Sequence, residues 1–121
     1  MILMVNGVIL ITNEERKMLF YIWVDDTRPI PKVPYENCYW AKTYKEAISF
    51  ITNNIRPVDS LVVDLDHDLG CKKSGYDVAK WLVQNDYHGA FKVHSMNPVG
   101  AKNIRDTLLR YGWQEINLIF S

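Results

Sequence analysis

Residues 60–70 read S-L-V-V-D-L-D-H-D-L-G, an apolar run that closes on three aspartates, a histidine and a glycine. Near-continuous apolar character over so few residues suits a strand buried on both faces of a parallel sheet. The polar cluster then falls where the strand ends. Upstream, Phe20 to Val24 runs into Asp25 and Asp26, and downstream Ala90 to Val93 runs into His94 and Ser95. Side chains at the carboxyl ends of neighbouring parallel strands converge on the crevice where an open α/β sheet binds its ligand, so a single site is expected to collect all three clusters.

Working outward from that strand, the chain alternates strand and helix patterns. Met18 to Asp25 reads as a strand, and Pro29, Pro31 and Pro34 then forbid a regular helix over Thr27 to Asn37, so the first crossover is extended. Cys38 to Lys42 reads as a short strand, and Thr43 with Glu46 forms a capping box that opens a helix to about Asn53, with Ala47, Ile48 and Ile51 inward. After residues 60–66, a helix from about Tyr76 to Asn85 carries Ala79, Leu82 and Val83 as its inward stripe. Ala90 to Met96 is the next strand. Asn97 and Pro98 suit the cap and first turn of a helix that runs through Ile104, Leu108 and Leu109 to Gly112, and Ile116 to Phe120 makes a last strand. The pattern predicts a flavodoxin-like or receiver-like, doubly wound α/β domain over residues 18–121, with five mostly parallel strands in the order 2-1-3-4-5.

Residues 2–11, I-L-M-V-N-G-V-I-L-I, place two apolar runs around Asn-Gly, the pair that favours a two-residue hairpin turn. Residues 1–17 are therefore expected to form a hairpin and linker extension, whose apolar strands are covered by the domain or by a second copy of the chain, or which is dispensable.

The 121 residues are 48% hydrophobic, enough for one core, and fourteen basic residues balance fourteen acidic ones. That balance argues against a long duplex nucleic acid as partner, though a small phosphorylated ligand needs only a few local donors. Cys38 and Cys71 are too few for a disulfide framework, no signal-peptide pattern is present, and no apolar run is long enough for a membrane span. A cytoplasmic location is the expectation.

Clustered carboxylates suit a hard divalent cation, so Asp25, Asp26 and Asp66 are the candidate ligands of Mg²⁺ or Mn²⁺. Asp64, two residues deeper on the same side of the strand, reads as a buried, hydrogen-bonded carboxylate. His67 and His94 are the candidate acid and base, or equally metal ligands, with Asp66 beside them, and Asp68 is a candidate substrate-binding residue that could also orient His67 or simply shape the turn before Gly70. Arg28 and Ser95 are candidate phosphate contacts, as is Asn97, whose capping role alone explains its type; the helix start at Pro98 adds positive dipole. Arg28 reads equally as a partner of Asp26. Trp23, Trp40 and Trp81 read as core, and His88 as a surface residue.

Three motifs in register, W-V-D-D-T-R-P-I-P at 23–31, D-H-D-L-G with S-G-Y-D-V-A-K-W-L at 66–82, and V-H-S-M-N-P-V-G-A at 93–101, resemble the cyclic-phosphate processing receiver-like domains. The resemblance implies a receiver-fold offshoot that processes cyclic phosphates on nucleotides or RNA ends. It places Asp25, Asp26, Asp66, His67, Asp68, His94, Ser95 and Asn97 on the family's polar site positions. Ordinary response-regulator receivers share the acidic pair and the strand-three aspartate, but their lysine at the end of the fifth strand is not found here, where the sequence reads Ile119, Phe120, Ser121, and their last helix is missing. Three functions follow in order: a phosphoesterase-like domain that opens a cyclic phosphate, a non-catalytic protein that binds or sequesters a cyclic nucleotide, and a phosphoacceptor receiver at Asp66.

Overall fold

The computed structural model describes residues 2–11 and 16–117. Strands β1 (Ile2–Val5) and β2 (Val8–Ile11) pair antiparallel as a sheet of their own, joined by Asn6 and Gly7 at φ 50° and 76°. Both central positions of such a turn need positive φ, which Asn and Gly supply at least cost. Met4, Val5, Val8 and Ile9 are exposed.

The main sheet comprises β3 (Leu19–Val24), β4 (Asn37–Ala41), β5 (Ser60–Leu65), β6 (Ala90–Val93) and β7 (Gln114–Glu115), all parallel, in the order β4-β3-β5-β6-β7. This is the expected 2-1-3-4-5 order. Helices α1 (Tyr44–Asn54), α2 (Gly75–Gln84) and α3 (Pro98–Arg110) connect the later strands. Each has a side-chain cap: Thr43 Oγ1 accepts from Glu46 N, Ser74 Oγ from Asp77 N, and Asn97 Oδ1 from Gly100 N. Such caps contribute about 1 kcal/mol each.

Strand alternation sorts the interior into two layers. Ile22, Val24, Val63, Leu65 and Phe91 face α1, α2 and α3 and pack on Ala47, Ile51, Val78, Leu82, Ile104 and Leu108. Tyr21, Trp23 and Val62 face the other way, where Ile30, Val33 and Tyr35 of the proline-containing crossover cover them. The helices thus occupy one side of the sheet, and an extended chain without regular secondary structure closes the other. The second layer of the winding is chain whose three prolines carry no N–H of their own to satisfy.

Several boundaries differ from expectation. The fourth main-sheet strand stops at Val93, three residues early; His94 N still donates to Leu65 O, and Ser95 and Asn97 are then taken up by the loop and cap of α3. Leu109 is 46% exposed: Ile104 and Leu108 already hold the inward stripe of α3. Ile48 and Val83 are only half-buried, whereas Val78 is fully buried; Phe50, also half-buried, stacks on Tyr39 at 4.0 Å between ring centres. The last strand lies at Gln114–Glu115, ahead of the expected 116–120, of which 118–120 fall outside the described residues. Among the described residues no helix is long and apolar enough to cross a membrane.

Candidate functional site

Parity along the strands decides which side chains meet. Tyr21, Trp23 and Asp25 alternate along β3 and its end, and Asp64 and Asp66 do so along β5; all turn to the face away from the helices. His94, just past β6, joins them there.

Asp25 is fully buried and heavily used. Its Oδ1 accepts the backbone N–H groups of Thr27 and Arg28 at 2.9 and 2.7 Å, and its Oδ2 accepts from Arg28 Nε and lies 3.0 Å from His94 Nε2. Two indoles pin the same turn: Trp40 Nε1 donates to Asp25 O and Trp23 Nε1 to Arg28 O. Burial alone would raise the Asp25 pKa, but the backbone donors of Arg28 and Thr27 and the His94 ring outweigh it and hold the carboxyl below its ordinary value.

His94 sits between two carboxylates. Its Nδ1 lies 2.6 Å from Asp64 Oδ1, and its ring stacks on Trp23 at 3.6 Å with planes 4° apart. Carboxylates that are ionised only accept, so with both charged, both ring nitrogens donate. Asp64 Oδ2 in turn accepts the Tyr21 hydroxyl at 2.6 Å. Burial, followed by that contact with Asp64, pushes the Tyr21 phenol well above its ordinary pKa.

Arg28 closes the cluster, its Nη2 donating to His94 O at 2.8 Å and lying 3.6 Å from Asp66 Oδ2. The carboxylates that Arg28 meets are Asp25 and Asp66 rather than the expected Asp26, and its side chain stays 48% exposed.

His67 belongs to a second group, on the helix side. Its Nδ1 lies 2.9 Å from Asp68 Oδ1 and 3.4 Å from Asn97 Nδ2. A Cβ at Gly100 would fall 2.3 Å from the ring, so the imidazole lies directly against the first turn of α3. Every buried side-chain nitrogen and oxygen among the described residues has a partner; Nε2, which has none, is therefore open to solvent. Ser95 Oγ accepts the Asn97 N–H at 3.1 Å, so both Ser95 and Asn97 serve the loop that leads into α3.

For a metal, the residues brought together are Asp25, Asp66 and His94, each with a ligand atom within 4.8 Å of the others. Asp26 is set apart: its Oδ2 packs against Gly70, where φ is +64° and a Cβ would come within 2.6 Å of it. The donor set fits a divalent ion only if the Arg28 guanidinium leaves Asp25 and His94 Nε2 gives up its proton. With an imidazole in place of the third carboxylate, the chemistry shifts from the hard oxygen set of Mg²⁺ toward Mn²⁺ or a later transition metal.

The model of the cyclic-phosphate processing receiver domain matches residues 20–110. The chain belongs to that family. No curated protein and no solved structure matches it. In this cyclic-phosphate processing receiver domain every candidate site residue falls inside the matched segment, and the N-terminal hairpin falls outside it. The sequence marked Asp64 only as a buried carboxylate and Trp23 as core, and passed over Tyr21. The signal for all three was present as parity, since each stands two or four residues before a site aspartate on its own strand.

Proposed function

We propose that this domain opens a cyclic phosphodiester carried by a nucleotide or an RNA end. One observation carries the reading: an exposed guanidinium, Arg28, and an imidazole with a free nitrogen, His67, stand at the carboxyl ends of adjacent parallel strands in a cyclic-phosphate processing receiver domain. Arg28 supplies a planar fork suited to phosphoryl oxygens, and its side chain is 48% exposed. Water adds to phosphorus, one ring P–O bond breaks, and the water's proton passes through His67 Nε2 to the released hydroxyl. Asp68 fixes the tautomer by holding Nδ1. If a divalent ion takes Asp25, Asp66 and His94, it supplies Lewis-acid polarisation of the phosphoryl group.

Sequestration of the same ligand without turnover is the second reading, and His94 favours it. Both its nitrogens are engaged by buried carboxylates, which leaves one open imidazole where acid and base catalysis by two groups needs two. The test offers 2′,3′-cyclic and 3′,5′-cyclic mononucleotides, cyclic oligonucleotides and linear diesters, each with Mg²⁺, with Mn²⁺ and with chelator. Multiple turnovers on a cyclic substrate, lost in His67→Ala, support the hydrolase. Stoichiometric binding with no product under every ion condition supports sequestration.

A further inference from the structure

A line of contacts runs from the buried layer behind the sheet to the solvent-facing guanidinium. Tyr21 Oη donates to Asp64 Oδ2 at 2.6 Å, Asp64 Oδ1 meets His94 Nδ1 at 2.6 Å, His94 Nε2 meets Asp25 Oδ2 at 3.0 Å, and the same oxygen accepts from Arg28 Nε at 3.0 Å. Tyr21 and Asp25 have no exposed surface, and Asp64 has 1%.

We propose that Asp64 and Tyr21 are positioning residues of the site, acting through His94 on the Asp25 carboxylate and through it on the orientation of Arg28. Neither touches the crevice, so neither is placed to meet a ligand. A carboxylate as buried as Asp64 is costly unless its oxygens are satisfied, and here the two oxygens go to two different partners, one in the core and one in the site. Trp23 confines the imidazole to one plane, so the remaining freedom of His94 is rotation within that plane, which the pull of Asp64 on Nδ1 removes. With Nδ1 fixed, Nε2 has one direction in which to point, and Asp25 Oδ2 lies there. Asp25 Oδ1 is held independently by two backbone N–H groups, so the His94 contact sets the tilt of the carboxylate about them and hence where Oδ2 presents itself to Arg28 Nε. Arg28 is the half-exposed end of the line and the group with most freedom to lose. Carboxylate-to-guanidinium bonds are strongly directional, so a tilt at Asp25 is felt as a reorientation of the fork.

The inference concerns the machinery that the proposed reaction would use, but its test needs no ligand. In ¹⁵N-labelled protein, the Arg28 Nε–H and the His94 ring N–H signals are followed through hydrogen exchange in the wild type, Asp64→Asn and Tyr21→Phe. Asp64→Asn should retain the backbone spectrum while speeding exchange at Arg28 Nε–H by about tenfold or more, the scale of one lost charged hydrogen bond. Tyr21→Phe keeps the ring and its packing and should give a smaller acceleration in the same direction at both His94 and Arg28. Should Asp64→Asn fail to fold, Tyr21→Phe decides alone. Folded variants in which the Arg28 signal is as protected as in the wild type would overturn the proposal and leave Asp64 a packing residue. Because the readout is taken without substrate, an absence of cyclic-phosphate turnover would count against the proposed reaction and leave this result standing.

Discussion

At the scale of single residues, the two histidines have parted company. His67 has a free nitrogen and a carboxylate behind it, so His67→Ala should lower turnover by about 10²–10⁴-fold while changing ligand affinity little. Asp68→Asn should cause a smaller loss, measured as kcat on the substrate that the assay identifies. The sequence could bring His67, His94 and their neighbours to the ends of adjacent strands, because period-two alternation and strand order suffice for that. Parity divides them between faces as well, since His67 follows Asp66 by one residue and so turns to the helix side, whereas His94 turns toward Trp23; what it could not supply is the pairing of His94 with both Asp25 and Asp64, which needs three strands in register. Gly75 shows a second limit of sequence reading. A Cβ there would stand 1.8 Å from the Asp66 carbonyl oxygen, a backbone atom that cannot move aside without shifting the site loop. Gly75→Ala should therefore destabilise by about 1–3 kcal/mol or more despite the better helix propensity of alanine, as denaturant midpoints will show.

At the scale of elements, the polar link at the opposite end of the sheet is held by Asp59, whose side chain is fully buried. Its two oxygens accept from Arg56 N, Nε and Nη2 and from Met18 N, tying the start of β3 to the loop before β5. The Arg56 side chain, working against burial, lowers the Asp59 pKa, with the Arg56 and Met18 backbone donors adding to it. A carboxyl whose folded pKa is depressed stabilises the fold above its unfolded pKa, and that contribution is lost as pH falls through the folded value. Asp59→Asn should thus cost about 1.5–3 kcal/mol at pH 7, and the gap to wild type should close below about pH 4, measured by urea unfolding across pH. Nothing in the sequence singled Asp59 out, since its partners are as distant as Met18. Elements with local signals were legible: the Thr43 cap, the Asn97-Pro98 start of α3 and the Asn6-Gly7 turn all stand where side-chain chemistry puts them, although the reciprocal capping box expected at Thr43 and Glu46 is complete instead at Ser74 and Asp77. β7 was misplaced because its pairing with β6 comes from the sheet, and two residues carry no period of their own.

At the scale of the whole molecule, the chain is a receiver-like domain with an uncharged hairpin attached. Removing residues 1–15 keeps Arg16, whose carbonyl oxygen accepts from Arg56, and should leave the melting temperature and ligand binding of the domain unchanged. If two copies pair through the exposed Met4, Val5, Val8 and Ile9 of β1 and β2, the same truncation should reduce the mass seen by light scattering at high concentration. A truncated chain that still associates would place the contact elsewhere.

The split of the sheet into a helix-backed face and a strap-backed face has a consequence for how such a domain tolerates change. On one side, Ile22, Val24, Val63 and Leu65 answer to helices; on the other, Trp23, Asp25, Asp64 and Asp66 answer to one another and to a short crossover. Abundance and chemistry are therefore written on interleaved letters of the same strands. A saturation scan scored separately for folded yield and for ligand response should oscillate out of phase between the two scores along β3 and β5. The strap, free of any ladder to preserve, would then be the part of the molecule where new specificities arise at least cost to the fold.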